Sequence, residues 1–167
     1  PPHPSTSRGL AWLSFAGGVV IFALATVTRA DADIWGHLRF GLDVLKDRSL
    51  TSVDPYSFTQ DKAWVNHEWL SELLMGVAWT LAGSTGLIAL KAAMLTATAI
   101  IVWRGLHGVS HVARLSVMVG LAFGTIHVTS SIRPQVWTIL AISILCTLLI
   151  RDRPRERRWV PLIFAVW

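Results

Sequence analysis

LLMGVAWTLAGSTGLIALKAAMLTATAIIVWRGLHGVSHVARLSVMVGLAFGTIHVTSSIRPQVWTILAISILCTLLI, residues 73–150, contains neither Asp nor Glu. Its only Lys and Arg are Lys91, Arg104, Arg114 and Arg133. An ionised carboxylate at the centre of a bilayer costs about 2.5–3.5 kcal/mol on insertion scales, so apolar runs that avoid acids read as lipid-facing or buried helix. Gly83-Ser84-Thr85-Gly86 interrupts the stretch, and Arg104 to Arg114 and Ser130 to Gln135 divide it further. The pieces between are apolar segments at residues 87–103, 115–132 and 136–150, preceded by a helix expected over residues 66–82. Lys91 lies near one end of its segment, where its stem would snorkel to the interface.

Outward from this stretch the pattern continues. Residues 10–28 carry no charge and are long enough to span about 30 Å of hydrocarbon. A retained span suits them better than a signal peptide, because the run is long for one and lacks a clear small-residue cleavage site. Another apolar run opens at Trp159. Both chain ends read as incomplete: Pro1-Pro2-His3-Pro4 leads in without Met, and Trp167 falls inside the last apolar run. Of 167 residues, 53% are hydrophobic and only 15% charged, against about 25% charge in a soluble domain. Mean hydropathy is +0.52. Trp12, Trp69, Trp103, Trp137 and Trp159 stand at segment ends, as in an interfacial aromatic belt. The expected fold is all-α, a polytopic transmembrane helical bundle forming one domain over residues 1–167.

The net charge of +5 and pI near 10.4 would suit a nucleic-acid binder. Here the basic residues flank apolar runs or cluster in residues 151–158, so membrane topology explains them and no nucleic-acid partner is expected. That block should be cytoplasmic by the positive-inside rule, with anionic lipid as a secondary partner. Counting back puts residues 29–67, the turn near Gly86 and residues 130–135 on the opposite face, provided residues 68–82 do not cross. The single Cys146 rules out a disulfide framework and a Cys-based metal site.

Eight of the ten acids lie between Asp31 and Glu72, so residues 29–67 form the hydrophilic loop. Ile34, Trp35, Leu38, Leu42 and Leu45 repeat at helical spacing, which predicts an amphipathic surface helix over residues 33–46 with Asp31 or Asp33 as N-cap. Residues 49–59, with Asp54-Pro55, read as turn and extended chain.

Three polar groupings carry candidate chemistry. Asp31, Asp33 and His37 follow the first span; a carboxylate there can act as a general base or help hold a divalent cation. The competing reading is a helix cap with surface charges. Asn66, His67 and Glu68 lie between Trp64 and Trp69 at a helix start, where Asn66 also suits an N-cap; position 71 is Ser, so this is no zinc-protease motif. Arg133 stands between two apolar segments and suits a phosphate or lipid head group, or a simple interfacial turn before Pro134. His107 and His111 flank Gly108 in a loop and make a poor metal pair. His127 suits a helix–helix hydrogen bond.

The order Asp31-Ala32-Asp33-Ile34-Trp35-Gly36-His37-Leu38, Asp54-Pro55-Tyr56-Ser57-Phe58-Thr59, Trp64-Val65-Asn66-His67-Glu68-Trp69-Leu70, Arg133-Pro134-Gln135 resembles a family of bacterial multi-span membrane proteins. These are described as relatives of GT-C glycosyltransferases of the dolichyl-phosphate-mannose mannosyltransferase type. Where that family carries Asp-Pro-Asp and a second Trp, this chain has Ala32 and Gly36; Asp33 and His37 are retained. The resemblance implies sugar transfer from a polyprenyl-phosphate donor in the bacterial cytoplasmic membrane. It implies Asp33, or Asp31, as the base, Arg133 toward the donor phosphate, and His37, His67 and Glu68 shaping the site. Two other classes stand beside it. One is a non-catalytic subunit of a larger membrane complex, respiratory or photosynthetic for example. The other is a small transporter, which the scarcity of ionisable residues in the spans (Lys91, His127) disfavours.

Overall fold

The computed structural model describes residues 17, 20, 27–29, 31–58, 63–150 and 159–166. Most of the expected span at residues 10–28 and the whole basic block at 151–158 lie outside the described residues. Everything regular among the described residues is helical: α1 (Asp33–Asp47), α2 (Trp69–Gly105), α3 (His111–Thr129), α4 (Gln135–Ile150) and α5 (Val160–Val166).

The amphipathic segment folds as α1, one residue longer than its periodicity indicates. Leu38 and Gly41 are buried, whereas Arg39, Lys46 and Asp47 are exposed. The N-cap position falls on Ala32, not on Asp31 or Asp33. Asp31 still serves the helix end from one residue further out, since its Oδ1 accepts the Asp33 amide at 3.1 Å and relieves one of the unpaired N–H groups of the first turn. The loop after α1 returns onto its polar face. Arg39 Nε donates to the Tyr56 hydroxyl at 2.8 Å, and that hydroxyl donates to Asp43. The Phe40 ring packs edge-on against Tyr56 and stacks on Trp64.

Helix α2 is two arms joined at a sharp bend. Ala82 (φ −150°, ψ 21°) and Gly83 (φ 57°, ψ −138°) leave helical geometry, and the Gly83 conformation is one that side-chain-bearing residues avoid. In a straight helix residues 78 and 86 would be about 12 Å apart. Instead, a Cβ on Gly86 would lie 2.0 Å from the Ala78 carbonyl oxygen. The chain therefore doubles back as a helical hairpin, and Met75 of the first arm meets Leu87 of the second, with Ile132, in the buried core. The break expected at residues 83–86 is thus present but narrower, because helix resumes at Ser84.

Leu87 packs with Ile132 at one end of the helices, and Gly105 meets Thr147 at the other. The second arm of α2 and α4 therefore run in the same direction and pack directly on each other, and α3 is the return connection that links them. Among the described residues two helices, α2 and α3, are long and apolar enough to cross a membrane, with mean hydropathies of 1.9 and 1.5 over their best windows. Helix α4 is more apolar still but shorter, at 16 residues. Only 11% of the α3 window is buried, which suits a helix facing lipid and not the core helix of a water-soluble domain. Val117, Val119, Phe123 and Ile126 are among its exposed side chains. At the far end Arg114 lies over the Trp103 ring, 5.5 Å from its centroid, a pairing at home in an interfacial belt.

Lys91 does not snorkel. It is 2% exposed, and its Nζ donates to the carbonyls of Val27 at 2.7 Å and Thr129 at 3.1 Å. Thr129 is the last residue of α3, where backbone carbonyls lack intrahelical partners; a buried ammonium from a neighbouring helix supplies one. His127 also differs from its expected role, because it is exposed and lines an open cleft beside Arg133.

Candidate functional site

Two polar clusters meet at the end of the helices that carries Val27, Thr129 and Ile132. The first is built on the turn between α3 and α4. Arg29 N–H donates to the Ser130 carbonyl at 2.7 Å, which holds the segment before α1 against that turn. Arg133 then reaches both carboxylates: its Nε donates to Asp31, and its Nη2 lies 3.1 Å from Asp33 Oδ2. The guanidinium beside Asp31 holds that carboxyl below its ordinary value of 3.8, assisted by the Asp33 amide. The same pairing raises the pKa of Arg133. Asp33 is the accessible member, its side chain 62% exposed against 17% for Asp31. Arg29, Asp31, His127, Ser131 and Arg133 line an open cleft of about 430 Å³.

This tie fixes a pH dependence. A carboxyl whose folded pKa is depressed stabilises the fold above its unfolded value and loses that contribution as pH falls through the folded one. The junction of Asp31 with Arg133 should therefore hold at neutral pH and release only below about pH 3.8. Amide exchange at Arg29 and Asp33, followed by acid titration in detergent, should stay protected down to that point; loss of protection near pH 6 would contradict the assignment.

The second cluster joins α1 to the first arm of α2. Gly41 and Gly76 allow the helix backbones to touch, since a Cβ on Gly41 would lie 1.9 Å from the Glu72 carbonyl oxygen. That approach sets His37, one turn earlier on α1, against the start of α2. His37 Nδ1 is 2.9 Å from Glu72 Oε1 and 3.5 Å from Glu68 Oε2. Asn66 Nδ2 donates to the other Glu72 oxygen, while Asn66 Oδ1 accepts the Glu68 amide at 3.0 Å. Glu72 is 2% exposed and Asn66 9%. The hydrogen bond to Glu72 is the main cause of a raised His37 pKa, which burial opposes and the charges of Glu68, Glu72 and Asp33 reinforce. Asp33 therefore faces both clusters, touching Arg133 and acting on His37 one helical turn away.

Asp31, Asp33 and Arg133 are thus in contact, and so are His37 and Glu68. His67 joins neither cluster. It is exposed and lines a cleft of about 480 Å³ with Glu68, Trp69, Gln135, Trp137 and Ile144. Glu72, the most deeply buried acid of the site, escapes a reading by motif alone. Its signal was the Glu68–Glu72 spacing, which puts two carboxylates on one helix face. Asn66 was legible as a helix-start residue, but not as the partner that orients Glu72.

No protein family, curated protein or solved structure matches this chain.

Proposed function

We propose that the chain is a GT-C-like membrane glycosyltransferase module that transfers a sugar from a polyprenyl-phosphate donor. In this reading the apolar helices form a polytopic bundle in the bacterial cytoplasmic membrane, and α1 lies on the outer face. The observation that carries the reading is the junction of a polar cluster with an apolar trough. Glu68 belongs to the His37–Glu68–Glu72 cluster and also lines the cleft that continues along Trp137, Ile144 and Leu162. A lipid-linked sugar has the same division into charged head and hydrocarbon tail.

The chemistry assigns one role to each accessible group. An acceptor hydroxyl oxygen attacks the anomeric carbon, and the bond from that carbon to the donor phosphate oxygen breaks. Asp33 takes the hydroxyl proton. Arg133, 36% exposed at its side chain, neutralises the departing phosphate by charge-assisted hydrogen bonds. Asp31 keeps the guanidinium oriented when Asp33 turns to the acceptor.

A second reading, a non-catalytic subunit of a larger membrane complex, draws on one specific observation. Arg133 already engages both carboxylates, as a static structural tie would. One experiment separates the two. Purified protein given a polyprenyl-phosphate sugar should transfer the sugar, and Asp33→Asn should lower turnover by about 100-fold or more without changing the melting temperature appreciably. Equal turnover in both proteins would remove Asp33 as base. An inactive wild type that purifies only in a stoichiometric complex would favour the second reading.

A further inference from the structure

We propose that His37, Glu68 and Glu72 bind one divalent transition-metal ion, with zinc the best match. Each residue offers one ligand atom, and the three atoms lie within 4.8 Å of one another. Zinc bonds to imidazole nitrogen and carboxylate oxygen are about 2.0–2.2 Å long, which puts neighbouring ligand atoms of a tetrahedral site about 3.3–3.6 Å apart. The nitrogen-to-oxygen separations here, 2.9 and 3.5 Å, lie close to that spacing. Small side-chain rotations would admit an ion without moving either helix.

Charge gives an independent reason. Glu68 and Glu72 bring two carboxylates together, and Glu72 is buried. Among the described residues the ion-pair partner of both is His37, and no Lys or Arg pairs with either. A single imidazole nitrogen carries at most one proton, yet His37 Nδ1 faces an oxygen of each carboxylate. A divalent ion answers both carboxylates at once, where a proton answers one.

The surroundings have the form of a metal site's outer shell. Asn66 holds the Glu72 oxygen that does not face His37, as outer-shell donors orient ligating carboxylates. His37 and Glu68 are 20% and 29% exposed at their side chains, so the fourth position opens toward solvent and the cleft. An imidazole among the ligands favours zinc over calcium and magnesium, which take oxygen ligands. The inference does not rest on sugar transfer, because binding is read without turnover.

The test is calorimetric titration of Zn²⁺ into the full chain, purified in mild detergent and stripped with a chelator. The expected result is one equivalent bound, with a rise in melting temperature. Glu68→Gln, at a partly exposed position where folding is not at stake, should weaken binding about 100-fold or more, and Asn66→Ala about 10–100-fold. His67→Ala, one residue away but outside the cluster, should bind as wild type. Absence of Zn²⁺ binding, or binding indifferent to Glu68→Gln, would overturn the site and leave His37 as a hydrogen-bonding partner of Glu72. Binding abolished by His67→Ala would also overturn it. Displacement of Zn²⁺ by millimolar Mg²⁺ would overturn the transition-metal class.

Discussion

Gly41→Ala should destabilise the protein by about 3 kcal/mol, the upper end of the usual range for overpacking, and dismantle the His37–Glu72 contact. The added methyl would stand 1.9 Å from the Glu72 carbonyl oxygen and 2.6 Å from its carbonyl carbon. Neither neighbour is a flexible side-chain tip; both are backbone of α2, so one helix has to move. Gly76 faces the same crossing, and a Cβ there would meet Gly41 backbone at 2.8 Å. Relief therefore cannot come from the opposite side. Gly36→Ala supplies the internal control, because it lies on the same helix with nothing within 4 Å of its would-be Cβ. There the change should be neutral or stabilising by up to about 1 kcal/mol, through helix propensity alone. Thermal unfolding of both variants in detergent reads the difference, and identical melting of the two would mean that the helices do not touch at Gly41.

The second large effect concerns Lys91. Lys91→Met should cost about 3 kcal/mol or more, since a hydrogen bond to a charged group contributes about 1.5–3 kcal/mol and Lys91 makes two. Methionine keeps most of the length and apolar contact of the stem, so the measured loss reports the polar tie and not a cavity. The carbonyls of Val27 and Thr129 would be left without their ammonium donor in an apolar setting. Thermal unfolding and limited proteolysis near Thr129 would both register the loosening. Wild-type melting in Lys91→Met would show that the ammonium is dispensable to the fold.

The all-helical character was legible because it rests on composition and periodicity. Residues 73–150 exclude acids, and the 3.6-residue pattern of Ile34, Leu38, Leu42 and Leu45 marks α1 almost to the residue. Gly83 announced the bend, although sequence alone did not say that the chain would reverse there; that depends on Gly86 being small enough to lie on Ala78. Lys91 misled for a physical reason. A lysine near the end of an apolar run has two solutions, reaching outward to water or inward to unpaired carbonyls. The second requires knowing that α3 ends alongside. Glu72 was hidden in the same way, since its partner His37 lies on α1, brought near by the Gly41–Gly76 crossing. The contact between Asp31 and Arg133 is the most distant in sequence of these ties, and no local pattern encodes it.

That separation of 102 positions bears on how the molecule is made. The ribosome releases Asp31 and Asp33 early, and Arg133 emerges only after α2 and α3 have been synthesised. Throughout that interval the nascent chain carries two carboxylates whose counter-charge has not yet been translated. The tether nearest the proposed chemistry therefore closes only after both intervening helices exist.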